Sequence, residues 1–424
     1  MSAIVMVLVL LALLILRVPV AISLLVPSLL YLTFDDTANL NIAIQQLMSG
    51  VNTFPLLAVP MFILLGNLAN AGGFTDRIFD VANATLGRLR GGLGYVNVAT
   101  SFGFSWISGA AIADAATMGK VVVPQMIKRG YPVGFSLGLT GVSSLIAPMV
   151  PPSIPAVVYA VTAGVSISTL FIAGIIPALL LTLLLLIYVF IIARRTKLDE
   201  GARADSAGPS LLRQIVRVLP VFGAPVVILG GILGGIFTPT EASAAGVFYT
   251  LLLGAIYRSF TREKLKDAFV GTTATSASIM FIVVAAALFG WILARERVPQ
   301  VLASNILSVT ENPFVFMLLL LVLLLLVGAL LEPVSAILIM VPVLAPLAPI
   351  FGIDPVHMGV VVIFALMIGL LTPPVGLVLF VMSSVTGYSV GTVLKGSLPF
   401  YSVMLAVLVT VAFVPLLIPI PGLS

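Results

Sequence analysis

The 424-residue sequence has no cysteine and a single histidine. Disulfides, thiolate chemistry and Cys-based metal sites are therefore excluded, and a His-rich metal cluster cannot form. Charge is scarce too. Asp, Glu, Lys and Arg make up 8% of the chain, against roughly 25% in soluble proteins. The sequence contains no Walker A motif, no HExxH pair and no nucleophile arranged with a base, so neither ATP hydrolysis nor other catalysis by this chain is expected. Its apolar runs are continuous and lack two-residue alternation, which argues against a β-barrel.

Hydrophobic residues fill 61% of the chain, in runs that recur from end to end. At about 30–40 residues per span plus loop, the length accommodates on the order of ten to twelve spans or hairpins. The fold class is all-α and polytopic. Residues 1–16 are apolar without a basic start or a small-residue cleavage site, and Arg17-Val18-Pro19 leads into another apolar run. This reads as a first transmembrane helix, not a signal peptide. The formal charge of +5 could suggest nucleic acid, but the basic residues sit in short interhelical loops. Topology explains them better, and no nucleic-acid partner is expected.

The most polar stretch, 193–217, holds Arg194, Arg195, Lys197, Arg203, Arg213 and Arg217 with Gly201, Gly208 and Pro209. It reads as a cytoplasmic linker, 194–217, by the excess of basic residues on the inner side. Stepwise crossing in both directions then places Arg17, Arg77, Arg88, Arg90, Lys128, Arg129, Arg258, Arg262, Lys264, Lys266 and Lys395 on the same side. Arg295 and Arg297 fall outside, and both termini come out periplasmic. The linker divides the chain into 1–193 and 218–424. In the first half, spans are expected at 1–16, 20–34 and 54–70, an interfacial helix at 39–50, a re-entrant hairpin at 94–126, a broken span at 133–159 and a return at 169–193. The second half is expected to repeat this plan from the opposite side. It has spans at 218–236 and 240–257, an amphipathic stretch near 261–268 before a span at 270–294, a hairpin at 314–350, a broken span at 356–384 and a last helix at 398–419.

The breaks come from a repeated proline pair. Pro151-Pro152 and Pro373-Pro374 lie 222 residues apart, and the same shift carries Pro124 onto Pro346 and Gly130 onto Gly352. The last two matches are independent of the choice of offset. A proline removes an amide donor and strips the carbonyl four residues earlier of its partner. The carbonyls freed are those of Ser144, Ala147, Pro148, Gly369 and Leu370. At membrane depth such groups must be satisfied by protein, water or an ion. With the hydroxyls of Ser143, Ser144, Ser153 and Thr372 they make a hard-oxygen environment suited to Na⁺. Two breaks at matching positions point to a transporter whose broken helices surround a midplane site.

The hairpin tips supply the other candidates. Ser105, Ser108, Gly109 and Ala110 turn the first, and Glu332, Pro333, Val334 and Ser335 turn the second. Small residues let a substrate approach the backbone, and half-helix N-termini attract anions. The proposed Na⁺ ligands are Ser108, Gly141, Ser143, Ser144, Ala147, Pro148, Glu332, Gly369, Leu370 and Thr372. The intramembrane carboxylates are Asp114, Glu241 and Glu332. Each is a functional candidate by its depth, with helix capping as the alternative. Lys120 is placed toward the cytoplasmic end of its hairpin arm, so no cation stands at the midplane. His357, after Asp354-Pro355, is expected to cap a helix or lie at the surface.

Four stretches together resemble one family: Ser101–Pro132 (SFGFSWISGAAIADAATMGKVVVPQMIKRGYP), Ala147–Ser153 (APMVPPS), Gly235–Ala242 (GIFTPTEA) and Gly352–Gly376 (GIDPVHMGVVVIFALMIGLLTPPVG). At these residues the chain resembles the large membrane subunit of tripartite ATP-independent periplasmic (TRAP) transporters, of the ion-transporter superfamily, and the likeness covers essentially the whole length. The resemblance implies an elevator-type importer of organic acids in the bacterial inner membrane. It has two inverted repeats, a scaffold and a transport domain, and Na⁺ as the coupling ion with no organic cofactor. It implies two partners as well, a periplasmic substrate-binding protein and a small four-helix membrane subunit. Some relatives fuse that subunit to the N-terminus. No such extension is present, so a separate partner is expected.

The sequence departs from the family at two places. The first tip reads Ser108-Gly109-Ala110 where Ser-Gly-Ser is common, so a hydroxyl at position 110 is missing. The first break reads Ala147-Pro148 where Gly and an aliphatic residue are common. A stand-alone divalent-anion or gluconate-type permease is the alternative, favoured if transport needs no periplasmic protein. The membrane domain of an ATP-driven importer is a further alternative, favoured if a nucleotide-hydrolysing subunit binds.

Overall fold

The computed structural model describes residues 3–34, 40–196, 198 and 211–417. It is all-helical, with no strand among the described residues. The first half runs α1 (Ala3–Ile15), α2 (Val20–Thr33), α3 (Leu40–Val51), α4 (Ala58–Ala71), α5 (Phe74–Leu86), α6 (Gly92–Ser108), α7 (Ala111–Val121), α8 (Val123–Lys128), α9 (Val133–Ser143), α10 (Ile154–Ala163) and α11 (Ile167–Arg195). The second runs α12 (Leu211–Val218), α13 (Gly223–Leu233), α14 (Pro239–Ile256), α15 (Arg262–Arg295), α16 (Val298–Leu307), α17 (Pro313–Leu330), α18 (Pro333–Leu344), α19 (Pro355–Gly369), α20 (Leu377–Thr386) and α21 (Val390–Leu417). Among the described residues, 7 helical segments are long and apolar enough to cross a membrane, and further apolar helices of 10–17 residues are too short. Most of those short pieces are halves of the two interrupted spans or members of tight pairs.

Local chemistry sets the ends. Thr238 and Glu241 form a reciprocal capping box before α14, with Pro239 at its first position. Ser153 caps α10 and Asp354 caps α19, each followed by a proline within the first turn. Arg194 and Arg195 close α11, where cations complement the helix dipole. Gly109, in the left-handed conformation at φ +63°, ends α6 and opens the first tip.

Helix boundaries recur with the 222-residue shift. It carries Ser108 onto Leu330, Ala111 onto Pro333 and Val133 onto Pro355, each a helix start or end. Two expectations need correction. The stretch at 261–268 and the span at 270–294 are one continuous helix, α15, about 50 Å long at 1.5 Å per residue. Its counterpart in the first half is cut into α3 and α4 by Asn52-Thr53-Phe54-Pro55, and no such breaker occurs within α15. The last helix begins at Val390, not 398, and Pro399 lies inside it. The short helices α5 and α16 follow α4 and α15 at corresponding positions and had no expectation attached. Most of the predicted linker, 194–217, lies outside the described residues.

Helices α2, α3, α4 and α14 pack on or around α15 and one another, forming one body. The hairpins α6–α7 and α17–α18 and the broken pairs α9–α10 and α19–α20 form the other, buttressed by α11 and α21. The two bodies meet where α4 touches α6 and α10, and where α15 touches α18. Packing within the second body is crossed. Helix α7 of the first hairpin lies on α20 of the second break, and α18 of the second hairpin lies on α10 of the first.

Candidate functional site

Each hairpin tip rests on the break of its own half. A Cβ on Gly109 would strike the carbonyl oxygen of Pro152, so glycine is required there by close approach as well as by its positive φ. In the second half, the Val375 amide donates to the Ala329 carbonyl at 3.2 Å. Both Pro151-Pro152 and Pro373-Pro374 are cis. The scaffold touches the first tip through Gly66 of α4, where an added Cβ would come within 3.1 Å of the Ser108 carbonyl.

Between the two bodies lies a cavity of about 440 Å³. Ser108, Gly109 and Ala110 from the first tip line it, with Glu332, Pro333 and Val334 from the second, and Pro148 and Leu370 from the two breaks. The predicted residues from four separate segments are thus brought together. Ser105 and Ser335 do not line it: the Ser105 hydroxyl donates to the Ser101 carbonyl at 2.6 Å, and Ser335 is buried against Glu332. The opposite wall had not been anticipated. It comprises Ile63, Gly66 and Asn67 of α4 and Thr275 and Ile279 of α15. Asn67, which donates to Thr272 Oγ1 at 3.0 Å, carries a signal in the sequence, being an amide inside a long apolar helix.

The carboxylates separate by role. Glu332 caps α18, its Oε2 accepting from the Ser335 amide at 3.1 Å and hydroxyl at 3.3 Å. Glu241 completes an exposed capping box, accepting from the Thr238 amide and hydroxyl, each at 2.8 Å. Asp114 caps nothing. It is fully buried beside Ser101, whose hydroxyl acts favourably on the carboxylate, but among the described residues neither carboxylate oxygen makes a hydrogen bond of normal geometry. His357 is buried rather than capping or superficial; Asp354 makes the cap, and the His357 ring Nε2 lies 2.9 Å from the Val411 carbonyl of α21.

Four of the five carbonyls expected to be freed have acquired partners. Pro148 O accepts from Ser153 Oγ, and Ser144 O from the Ala147 amide at 3.2 Å. Gly369 O accepts from the Thr372 amide and Leu370 O from the Val378 amide, both at 2.9 Å. A carbonyl has two lone pairs, so one such bond does not exhaust it. Ser144 Oγ donates to Gly141 O at 2.7 Å, and Thr372 Oγ1 to Ile368 O at 2.9 Å. Each hydroxyl proton therefore points back along its helix, leaving oxygen lone pairs for a cation. Ser143 belongs to a buried network: it donates to Asn97 Oδ1 at 3.0 Å and lies 3.1 Å from Ser101 Oγ, while Asn97 donates to Thr140 at 2.6 Å. Gly141 and Ala147 are buried beside these groups. Among the described residues no group of three His, Asp or Glu could hold a metal. The donor set of hydroxyls and carbonyls suits a monovalent hard cation, not a transition metal.

The family model of the tripartite ATP-independent periplasmic transporter, DctM component, matches residues 7–417. The sialic acid TRAP transporter large permease protein SiaM of Vibrio cholerae is 40% identical over 401 residues, covering 94% of this chain and 93% of its own. The C4-dicarboxylate TRAP transporter large permease protein DctM of Pseudomonas aeruginosa is 36% identical over 389 residues, covering 92% and 90%. The crystal structure of the Alcanivorax borkumensis YdaH transporter shares the fold, with a TM-score of 0.62, 17% identity and coverage of 92% and 91%. The chain belongs to the TRAP transporter large permease family.

Proposed function

We propose that this chain is the permease subunit of a Na⁺-coupled, binding-protein-dependent importer that carries an organic acid across the bacterial inner membrane by an elevator movement. The observation that carries the reading is the single cavity on which both tips and both breaks converge, bounded on its other side by α4 and α15. Tips that rest on breaks, with crossed packing of α7 on α20 and α10 on α18, favour movement of that body as one unit. The body of α2, α3, α4, α14 and α15 would be the scaffold. The matching helix boundaries support two repeats, and the basic loops support their inverted orientation with periplasmic termini.

Among the described residues no Lys or Arg lines the cavity, so the substrate carboxylate must find positive potential elsewhere. Helix α7 offers it: Ala111, Ile112 and Ala113 of its first turn line the cavity, and no side chain caps its N-terminus. The α10 and α18 N-termini are already capped by Ser153 and Glu332. Na⁺ held by Ser144 and the first break, and by Thr372 and the second, would supply the remaining compensation. The relatives' names differ in substrate, sialic acid against a C4-dicarboxylate, as expected if a separate binding protein selects the acid. A periplasmic binding protein and a small four-helix subunit are the proposed partners.

The test is cross-linking in native membranes, purification by a tag on this chain, and mass spectrometry of co-purified proteins and ligand. A small four-helix protein and a carboxylate-loaded binding protein are expected. Recovery of neither, from a chain that still transports alone, would replace this reading with a stand-alone permease.

A further inference from the structure

The cavity at the tips continues into two smaller concavities. It shares Ala113 and Ala116 with one and Asn67 with the other, and those two share Asn70. The shared residues place them side by side from the tips toward the face that carries Arg77, Lys128 and Lys264, which the basic loops assign to the cytoplasm, an arrangement we read as a passage. Residues 113, 116, 117 and 120 share one face of α7, so the helix that begins at the substrate cavity forms a wall of the passage to its end. Lys120 stands there, about 15 Å down the helix from Ala110.

We infer that Lys120 is a substrate-steering residue, whose ammonium receives the carboxylate of the departing organic anion at the mouth of the passage. The inference rests on the organic-acid reading above and adds a release site to it. Among the described residues the tip cavity is lined by one ionisable side chain, Glu332, and no cation, so the nearest cations are those of the adjoining concavities, Lys120 beside Asp76 in one and Lys264 beside Asp267 in the other. The Lys120 side chain is exposed, and among the described residues no ion pair holds it. Hydrogen-bonding groups surround it. Asn70 and Thr117 line the same chamber, as does Thr75, whose buried Oγ1 has no partner among the described residues. A carboxylate could accept from the ammonium and from these side chains together.

The chamber has one wall on the hairpin, α7, and the other on residues 70–76, including Asp76. Asp76 carries the opposing charge and lowers the positive potential that Lys120 presents, so its neutralisation should strengthen the steering. Steering by a single charge at a mouth acts over roughly the ~8 Å Debye length of physiological salt, so it changes the rate of release rather than the choice of substrate.

Because the chain has no cysteine, the test can use Lys120→Cys without background labelling of this subunit. Uptake of radiolabelled succinate, N-acetylneuraminate and gluconate would be measured in cells expressing the whole transporter. Lys120→Gln and Lys120→Cys are each expected to lower the maximal rate by roughly three- to tenfold, with membrane abundance and half-saturating Na⁺ unchanged. A thiol reagent adding an aminoethyl group should restore Lys120→Cys, and one adding a sulfonatoethyl group should not. Asp76→Asn should match or exceed the wild-type rate. Wild-type rates in Lys120→Gln, equal rescue by both reagents, or a loss in Asp76→Asn equal to that in Lys120→Gln would each overturn the inference. A wild type that takes up none of the acids would count against the organic-acid reading itself and remove the basis for the Lys120 site.

Discussion

Pro151 and Pro152 of the first break are buried, whereas Pro373 and Pro374 of the second are exposed. The sequence device is the same, and its surroundings are not. The first break satisfies itself locally, through Ser153 on Pro148 O and Ser144 on Gly141 O, and is wired to α6 by the Asn97–Thr140–Ser143–Ser101 network. The second borrows its partners from farther away. Tyr401 of α21 donates to Leu371 O at 2.5 Å and lies 3.4 Å from Thr372 Oγ1, and Val375 reaches the hairpin at Ala329 O. Their hairpins differ in the same sense. Helix α6 is buried along most of its length, while α17 exposes Leu318, Leu319, Val322, Leu323 and Leu326, as a lipid-facing helix would. A buried, self-contained break is a rigid element; one held by distant groups has partners it can exchange.

That contrast can be broken most forcefully at the glycines. Gly109→Ala should cost the most, because the new Cβ meets the Pro152 backbone and φ is +63°. A left-handed non-glycine residue alone costs about 1–3 kcal/mol, and the collision displaces the tip. Uptake is expected to fall below a hundredth of wild type, with a lowered unfolding temperature in detergent. Gly376→Ala, at φ +60°, should do less harm, since the Leu379 side chain at 2.8 Å can move.

Next in size are the buried polar groups of the first break. Asn97→Leu leaves the Ser143 and Thr140 hydroxyls short of a partner, at about 1–3 kcal/mol. Thermal unfolding of the purified chain would show it, and Ser143→Ala should lose less. At the second break, Tyr401→Phe removes one hydrogen bond from an exchangeable set, about 0.5–1.5 kcal/mol. It should alter the Na⁺ dependence of uptake with little change in unfolding temperature. The smallest effect is expected from Glu241→Gln, which can still accept from Thr238 at an exposed helix start. Transport rates should not change.

Legibility in the sequence followed the prolines and the runs. The hairpins expected at 94–126 and 314–350 and the breaks expected at 133–159 and 356–384 fall within a few residues of α6–α8, α17–α18 and the interrupted pairs, because prolines, glycines and basic loops mark them. Helices α5 and α16 were not legible: they are short, and neither is bounded by a pattern that hydropathy alone separates from a loop. The amphipathic stretch near 261–268 and the apolar span from 270 read as separate segments, yet nothing between them stops a helix, and α15 continues through. In the candidate site, the tips and breaks carried their own signals, whereas Asn67 and Thr275 on the scaffold wall lie in regular helices. His357 was misplaced because only tertiary packing brings α21 to its ring.

The central claim is that a cation at each break organises the tips around the substrate. Its most direct test is uptake as a function of Na⁺ concentration in wild type, Ser144→Val and Thr372→Val, in proteoliposomes containing the whole transporter. Each substitution keeps the helix and removes one hydroxyl oxygen, so half-saturating Na⁺ should rise by roughly fivefold or more, the loss of about 1 kcal/mol. Wild type should lose uptake when Na⁺ is replaced by choline. Superimposable Na⁺ curves for all three proteins, or a wild type indifferent to Na⁺, would contradict the account.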